Sequence, residues 1–116
     1  FDSGTYTPNL ANVANITGST TYVAQYLRVG KSVTVSGVVD VDPTLTVTAT
    51  QLGISLPIAS ALTSRLQCCG TAACPNIAGQ SAAVLGDATN DRAQMEWIAG
   101  DVTSQPMYYT FTYQVL

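Results

Sequence analysis

Tyr22-Val-Ala-Gln-Tyr-Leu-Arg-Val-Gly-Lys-Ser-Val-Thr-Val-Ser-Gly-Val-Val-Asp-Val-Asp42 reads as two strands joined by a tight turn. Tyr22, Val23, Tyr26 and Val29 supply the aromatic and β-branched side chains that suit a pleated surface. Gly30-Lys31 is a natural two-residue turn, because glycine takes positive φ without a Cβ clash. Beyond it, Val33, Val35, Gly37, Val39 and Val41 recur at period two, with Thr34, Ser36, Val38 and Asp40 between them. A strand with one apolar face needs a second layer to cover it, so the hairpin predicts a β-sandwich or barrel rather than a lone sheet.

Outward from the hairpin, strand signals recur at short spacing. Gly4-Thr5-Tyr6-Thr7 reads as a short first strand stopped at Pro8, and Leu10 to Ile16 as a loosely alternating edge segment. Gly18-Ser19-Thr20 reads as a turn, and Asp42-Pro43-Thr44 ends the hairpin. Leu52, Ile54, Leu56 and Ile58 alternate with small residues up to Pro57. From Ala59 to Ala78 the alternation dissolves, and this stretch reads as a long loop with one or two helical turns near its start. Extended structure resumes from Gln80 to Leu85. Gly86 to Asp91 is a turn, and Arg92 to Ala99 places Ala93, Met95, Trp97 and Ala99 on one face. Pro106 to Leu116 is the second clear strand, with Met107, Tyr109, Phe111, Tyr113 and Val115 sharing a face.

The chain has 116 residues, enough for one domain spanning 1–116 with a substantial core. It is 47% hydrophobic but only 9% charged, well below the ~25% of ordinary soluble domains. Thr, Ser, Asn and Gln carry the polar surface, a composition suited to an all-β protein that assembles with copies of itself or sits in a larger particle. The net charge is −3, and the basic residues Arg28, Lys31, Arg65 and Arg92 are scattered. Nucleic-acid binding needs a clustered basic patch, which argues against that function. The sequence has no apolar run of about 18 residues to span a membrane, and no signal peptide is read in it. The start at Phe1, without Met, suggests a piece of a longer polypeptide or a processed product.

Histidine is absent, which removes Ser-His-Asp and Cys-His nucleophilic chemistry and histidine metal sites. Asp40 with Asp42, and Asp87 with Asp91, are the carboxylate pairs that glycoside hydrolysis would need. Asp87 and Asp91 also supply oxygen ligands of the kind Ca²⁺ takes. Solvent exposure and turn capping explain all four more simply, so no catalytic or metal site is assigned. Arg92 and Glu96 are expected to pair with neighbouring strands. Three cysteines, Cys68, Cys69 and Cys74, crowd one Gly- and Ala-rich segment. A loop disulfide from Cys74 to Cys68 or Cys69 is one outcome for them, and free thiols in a reducing cytoplasm the other. Their spacing is not a usual zinc pattern. Asn15-Ile16-Thr17 fits the N-glycosylation pattern, with nothing else to support it. Tyr22, Tyr26, Trp97, Tyr108, Tyr109 and Tyr113 offer flat faces for sugar stacking. The Tyr109, Phe111 and Tyr113 row reads as core or interface, and Tyr108 as the one facing outward.

The runs Tyr26-Leu-Arg-Val-Gly-Lys-Ser-Val-Thr-Val-Ser-Gly37, Leu56-Pro57-Ile58-Ala59-Ser60, Asp91-Arg92-Ala93 and Tyr109-Thr-Phe-Thr-Tyr-Gln-Val115 stand in a familiar order. Together they resemble the small β-rich domains at the ends of bacteriophage and prophage tail-fibre and other virion surface proteins, over about Gly4 to Leu116. The resemblance implies an all-β, jelly-roll-like antiparallel sandwich of about seven or eight strands, usually trimeric, the C-terminal piece of a longer virion protein. It carries over no catalytic residue, cofactor or receptor-binding residue. The expectation is a non-enzymatic fibre- or spike-tip domain on the virion surface, made in the host bacterial cytoplasm, that oligomerises and attaches to a host receptor or glycan. The rival is a capsid-decoration or fibre-capping protein whose partners are other virion proteins.

Overall fold

In the computed structural model, which describes residues 2–116, the central hairpin forms as its sequence predicts. Strand β4 (Ala24–Val29) meets β5 (Ser32–Pro43) with Val29 opposite Ser32, and Gly30 turns at φ 61°. Val33, Val35, Val39 and Val41 are buried, while Thr34 and Ser36 face outward. The other strands are β1 (Asp2–Tyr6), β2 (Leu10–Ala14), β3 (Ile16–Thr21), β6 (Ala49–Ser55), β7 (Cys68–Ala73), β8 (Ser81–Asp87), β9 (Arg92–Ile98) and β10 (Gln105–Gln114).

All ten strands belong to one antiparallel sheet, in the order β1-β4-β5-β10-β7-β8-β9-β6-β2, with β3 paired to β5 beside β4. The fold is all-β and antiparallel, as expected. It differs from a two-layered sandwich in that the sheet curls into a half-barrel and covers its own apolar face, and it has ten strands rather than seven or eight. The curl brings β2, at the far end of the path, alongside β3, where Ser19 Oγ donates to Asn12 Oδ1 (2.7 Å). Tyr6 Oη donates to Ser55 O (2.8 Å), and Ser55 N to Asn9 O (3.0 Å), lacing the chain's start to the end of β6.

The core is built around β10. Met107, Tyr109, Phe111 and Tyr113 point inward, and the Tyr109 and Phe111 rings stack with centroids 5.9 Å apart. Rings of this size need small neighbours. Phe111 lies opposite Gly70 on β7, and Tyr109 lies between Gly37 on β5 and Ala72 on β7.

Four expectations are corrected here. The cysteine segment is a central strand rather than a loop, with β7 paired to both β10 and β8. The Cys68–Cys74 disulfide does not form, and all three cysteines are free thiols. An extended strand at ~3.3 Å per residue holds these two about 20 Å apart, whereas a disulfide needs Cα atoms within about 7 Å. Gly18-Ser19-Thr20 lies within β3, which runs along β5 after a register shift between Ile16 and Gly18. The helical turns expected from Ala59 reduce to one 3-10 turn at Arg65–Gln67, capped by Ser64.

Candidate functional site on the outer sheet face

β3 and β4 run in line along the same edge of β5. Thr21 pairs with Val39, and Gln25 with Ser36. Four steps along one chain therefore match three along the other, which makes this a bulge of one extra residue. Gly37 and Val38 have no partner on that edge. Bulges bend a strand and re-aim its side chains. Here Ala24 turns fully into the core, and Tyr22 and Val23 swing out to 45% and 64% exposure.

Ala24 fits because of Gly37. A Cβ on Gly37 would lie 2.9 Å from Ala24 Cβ and 2.7 Å from the Tyr109 hydroxyl. The Tyr109 ring lies over the glycine, replacing the packing that the missing side chain would have given. Its hydroxyl is buried without a hydrogen-bond partner among the described residues, and burial pushes its pKa up to about 12.

The result is an open groove of about 660 Å³ on the face turned away from the core. Tyr22 and Val23 form one wall, and Tyr108, 54% exposed and paired to Val38, forms the other. Gln25, Ser36 and Asp40 supply polar groups, and the Gly37–Val38 backbone with Tyr109 forms the floor. Tyr22 Oη donates to Asp40 Oδ2 at 2.5 Å. That bond, with the carboxylate's charge, raises the phenol's pKa above its ordinary value and keeps Tyr22 a donor.

No family model matches this chain, and no curated protein or solved structure compared with it is a match.

The other sequence candidates separate. Of Asp40 and Asp42, only Asp40 lines the groove. Asp87 and Asp91 point to different tasks. Asp87 accepts from Asn90 N and Nδ2 and from Arg92 Nε (3.0 Å). Burial pushes its pKa up, but the Asn90 and Arg92 contacts together outweigh this and hold it below the usual carboxylate range. Asp91, at φ 52°, accepts from Ser60 N (3.3 Å) and Leu62 N (2.9 Å) and so pins the connection after β6. No cluster of three metal-ligating side chains occurs among the described residues.

Arg92 pairs with Asp87 across β8 and β9. Glu96 accepts from Gln51 Nε2 (3.0 Å) on β6 and pairs with Arg65 (3.6 Å). Tyr109, Tyr113 and Trp97 are buried and cannot form a stacking platform, and Tyr26 is half-buried against Tyr6. The glycosylation motif is engaged structurally: Asn15 Nδ2 donates to Leu45 O and Thr50 Oγ1, both at 2.9 Å, and Oδ1 accepts from Leu45 N.

Sequence reading found Tyr22, Tyr108 and Asp40 separately but not their meeting. The meeting depends on the one-residue bulge, which an uninterrupted Tyr22-Val23-Ala24 strand conceals. The one available signal was Ala24, a small residue in an otherwise bulky run.

Proposed function

We propose that this chain is a non-catalytic surface domain of a bacteriophage particle, one that assembles with copies of itself and attaches to host surface glycan through the groove between Tyr22 and Tyr108. The bulge carries this reading, because it gives up a regular ladder to expose the Tyr22 ring beside Asp40 and across from Tyr108. The exposed pair suits a stacking ligand better than it suits the fold. The motif order described above and the uncharged Thr- and Ser-rich outer strands support the virion-surface assignment. Oligomerisation, most simply as a trimer, would turn weak single contacts into firm attachment.

Purified protein is expected to bind host bacterial cells or their isolated surface glycans saturably, as an oligomer by mass, and to be displaced by one soluble glycan. A monomer that binds no host fraction defeats the proposal.

Exposed aliphatic side chains favour a second reading. Leu27 and Val29 lie exposed on β4, and Leu66 and Leu116 flank a smaller groove of about 370 Å³ beside Cys69. Such surfaces suit protein contacts, as in a capsid-decoration or fibre-capping protein. An oligomer that binds purified virion proteins and no host fraction favours this role.

A further inference from the structure

We infer that the groove selects neutral saccharides, one or two pyranose rings in extent, and rejects acidic ones. The inference rests on the attachment reading and names the chemistry of its ligand.

Charge is the first argument. Asp40 is the sole formal charge in the groove lining, and it is negative. A carboxylate, sulfate or phosphate on a ligand is normally met by Arg or Lys. Here the Arg28 guanidinium donates to Gly30 O (2.8 Å), Arg65 pairs with Glu96, and Arg92 with Asp87. Lys31 sits in the β4–β5 turn. None of the four lines the groove, and the chain's net charge of −3 adds repulsion toward anions.

Shape and hydrogen bonding come next. Two exposed phenol rings present flat apolar faces, which match the C–H faces of a pyranose. Asp40 spends Oδ2 on Tyr22, leaving Oδ1 to accept from ligand hydroxyls. Gln25 and Ser36 can donate or accept, as can the backbone at the two-residue gap in the ladder. A ligand dense in hydroxyls satisfies such a mixture. An extended peptide does not, because a two-residue gap is too short to take an added strand.

The test is a titration of the purified protein, followed by the NMR signals of the tyrosine rings. The neutral probes are methyl glycosides of glucose, galactose, mannose and N-acetylglucosamine. The acidic probes are glucuronic acid and N-acetylneuraminic acid. At least one neutral probe is expected to shift the Tyr22 and Tyr108 signals saturably, with the acidic probes silent. Tyr22→Ala and Tyr108→Ala, both at exposed positions, should each weaken that probe about tenfold. Asp40→Asn should admit the acidic probes while it weakens the neutral one.

Tighter binding of an acidic probe, or neutral binding that survives both alanine substitutions, overturns the inference. So does a protein that holds host cells through this groove yet binds no sugar probe. In each of these cases host attachment itself stands. If neither probes nor host fractions bind, the attachment reading falls and this inference with it.

Discussion

Tyr109 and Gly37 pack so closely that no side chain fits at position 37. The ring occupies the space a Cβ on Gly37 would need, so Gly37→Ala should destabilise by about 1–3 kcal/mol in urea unfolding. Tyr109→Phe removes a buried hydroxyl that bonds to nothing among the described residues, and should stabilise the fold by about 1 kcal/mol. The two changes should couple in a double-mutant cycle, because the hydroxyl is the nearest atom to the added methyl group. A stability loss for Tyr109→Phe would mean that the hydroxyl has a partner after all. Asn15 is the opposite kind of residue, fully engaged. Its amide makes three hydrogen bonds, and φ is 58°, a conformation asparagine tolerates better than most residues. Asn15→Ala should therefore cost about 2 kcal/mol in the same assay.

Among the elements, β5 and β10 were legible because each alternates large apolar with small polar residues over many positions. β7 was not, and the reason is physical. Its inward positions are Cys68, Gly70 and Ala72, and none of them looks like core on its own. They are small because β10 delivers Tyr113, Phe111 and Tyr109 to the same places. A Cβ on Gly70 would stand 2.0 Å from Thr110 O, a backbone atom that cannot move aside. A strand whose residues answer to a partner about forty positions away leaves no local periodicity to read. The groove escaped for a related reason, since its two walls come from distant segments and meet only through a bulge. β7 also sets thiol chemistry. Cys68 and Cys74 are 2% and 5% exposed, whereas Cys69 faces outward. A disulfide-exchange reagent should therefore titrate one thiol quickly in native protein and three in denaturant. Two or three fast thiols would mean that β7 does not sit between β10 and β8.

For the molecule as a whole, stability should fall at alkaline pH. Burial, then the neighbouring Cys69, pushes the Cys68 thiol up to about 12, and burial raises Tyr109 and Tyr113 to about 12 as well. In the unfolded chain these groups ionise near 8.5 for Cys and 10 for Tyr. The folded state thus favours their neutral forms. Their contribution is complete below about pH 8.5, and it is lost as pH rises toward 12. Urea midpoints should accordingly hold between about pH 5 and 8 and decline beyond 9. Cys68→Ala should remove the earliest part of that decline. Asp87 works in the other direction: its pKa is held low in the fold, so its contribution is present above the unfolded value near 3.9 and is lost as pH falls further.

The position of β10 also bears on how the protein is made. It is the tenth strand in the chain but lies in the interior of the sheet, between β5 and β7. On the ribosome, roughly sixty residues must be translated between Pro43 and Gln105. At ~5–20 residues per second, that is several seconds during which β5 has one edge open and a valine-rich face bare. Folding cannot finish outward from an N-terminal half, because no ladder joins β5 to β7 until β10 arrives between them. A nascent chain stalled before Gln105 should therefore be captured by chaperones or aggregate. A chain that has emerged past Gln114 can complete the sheet.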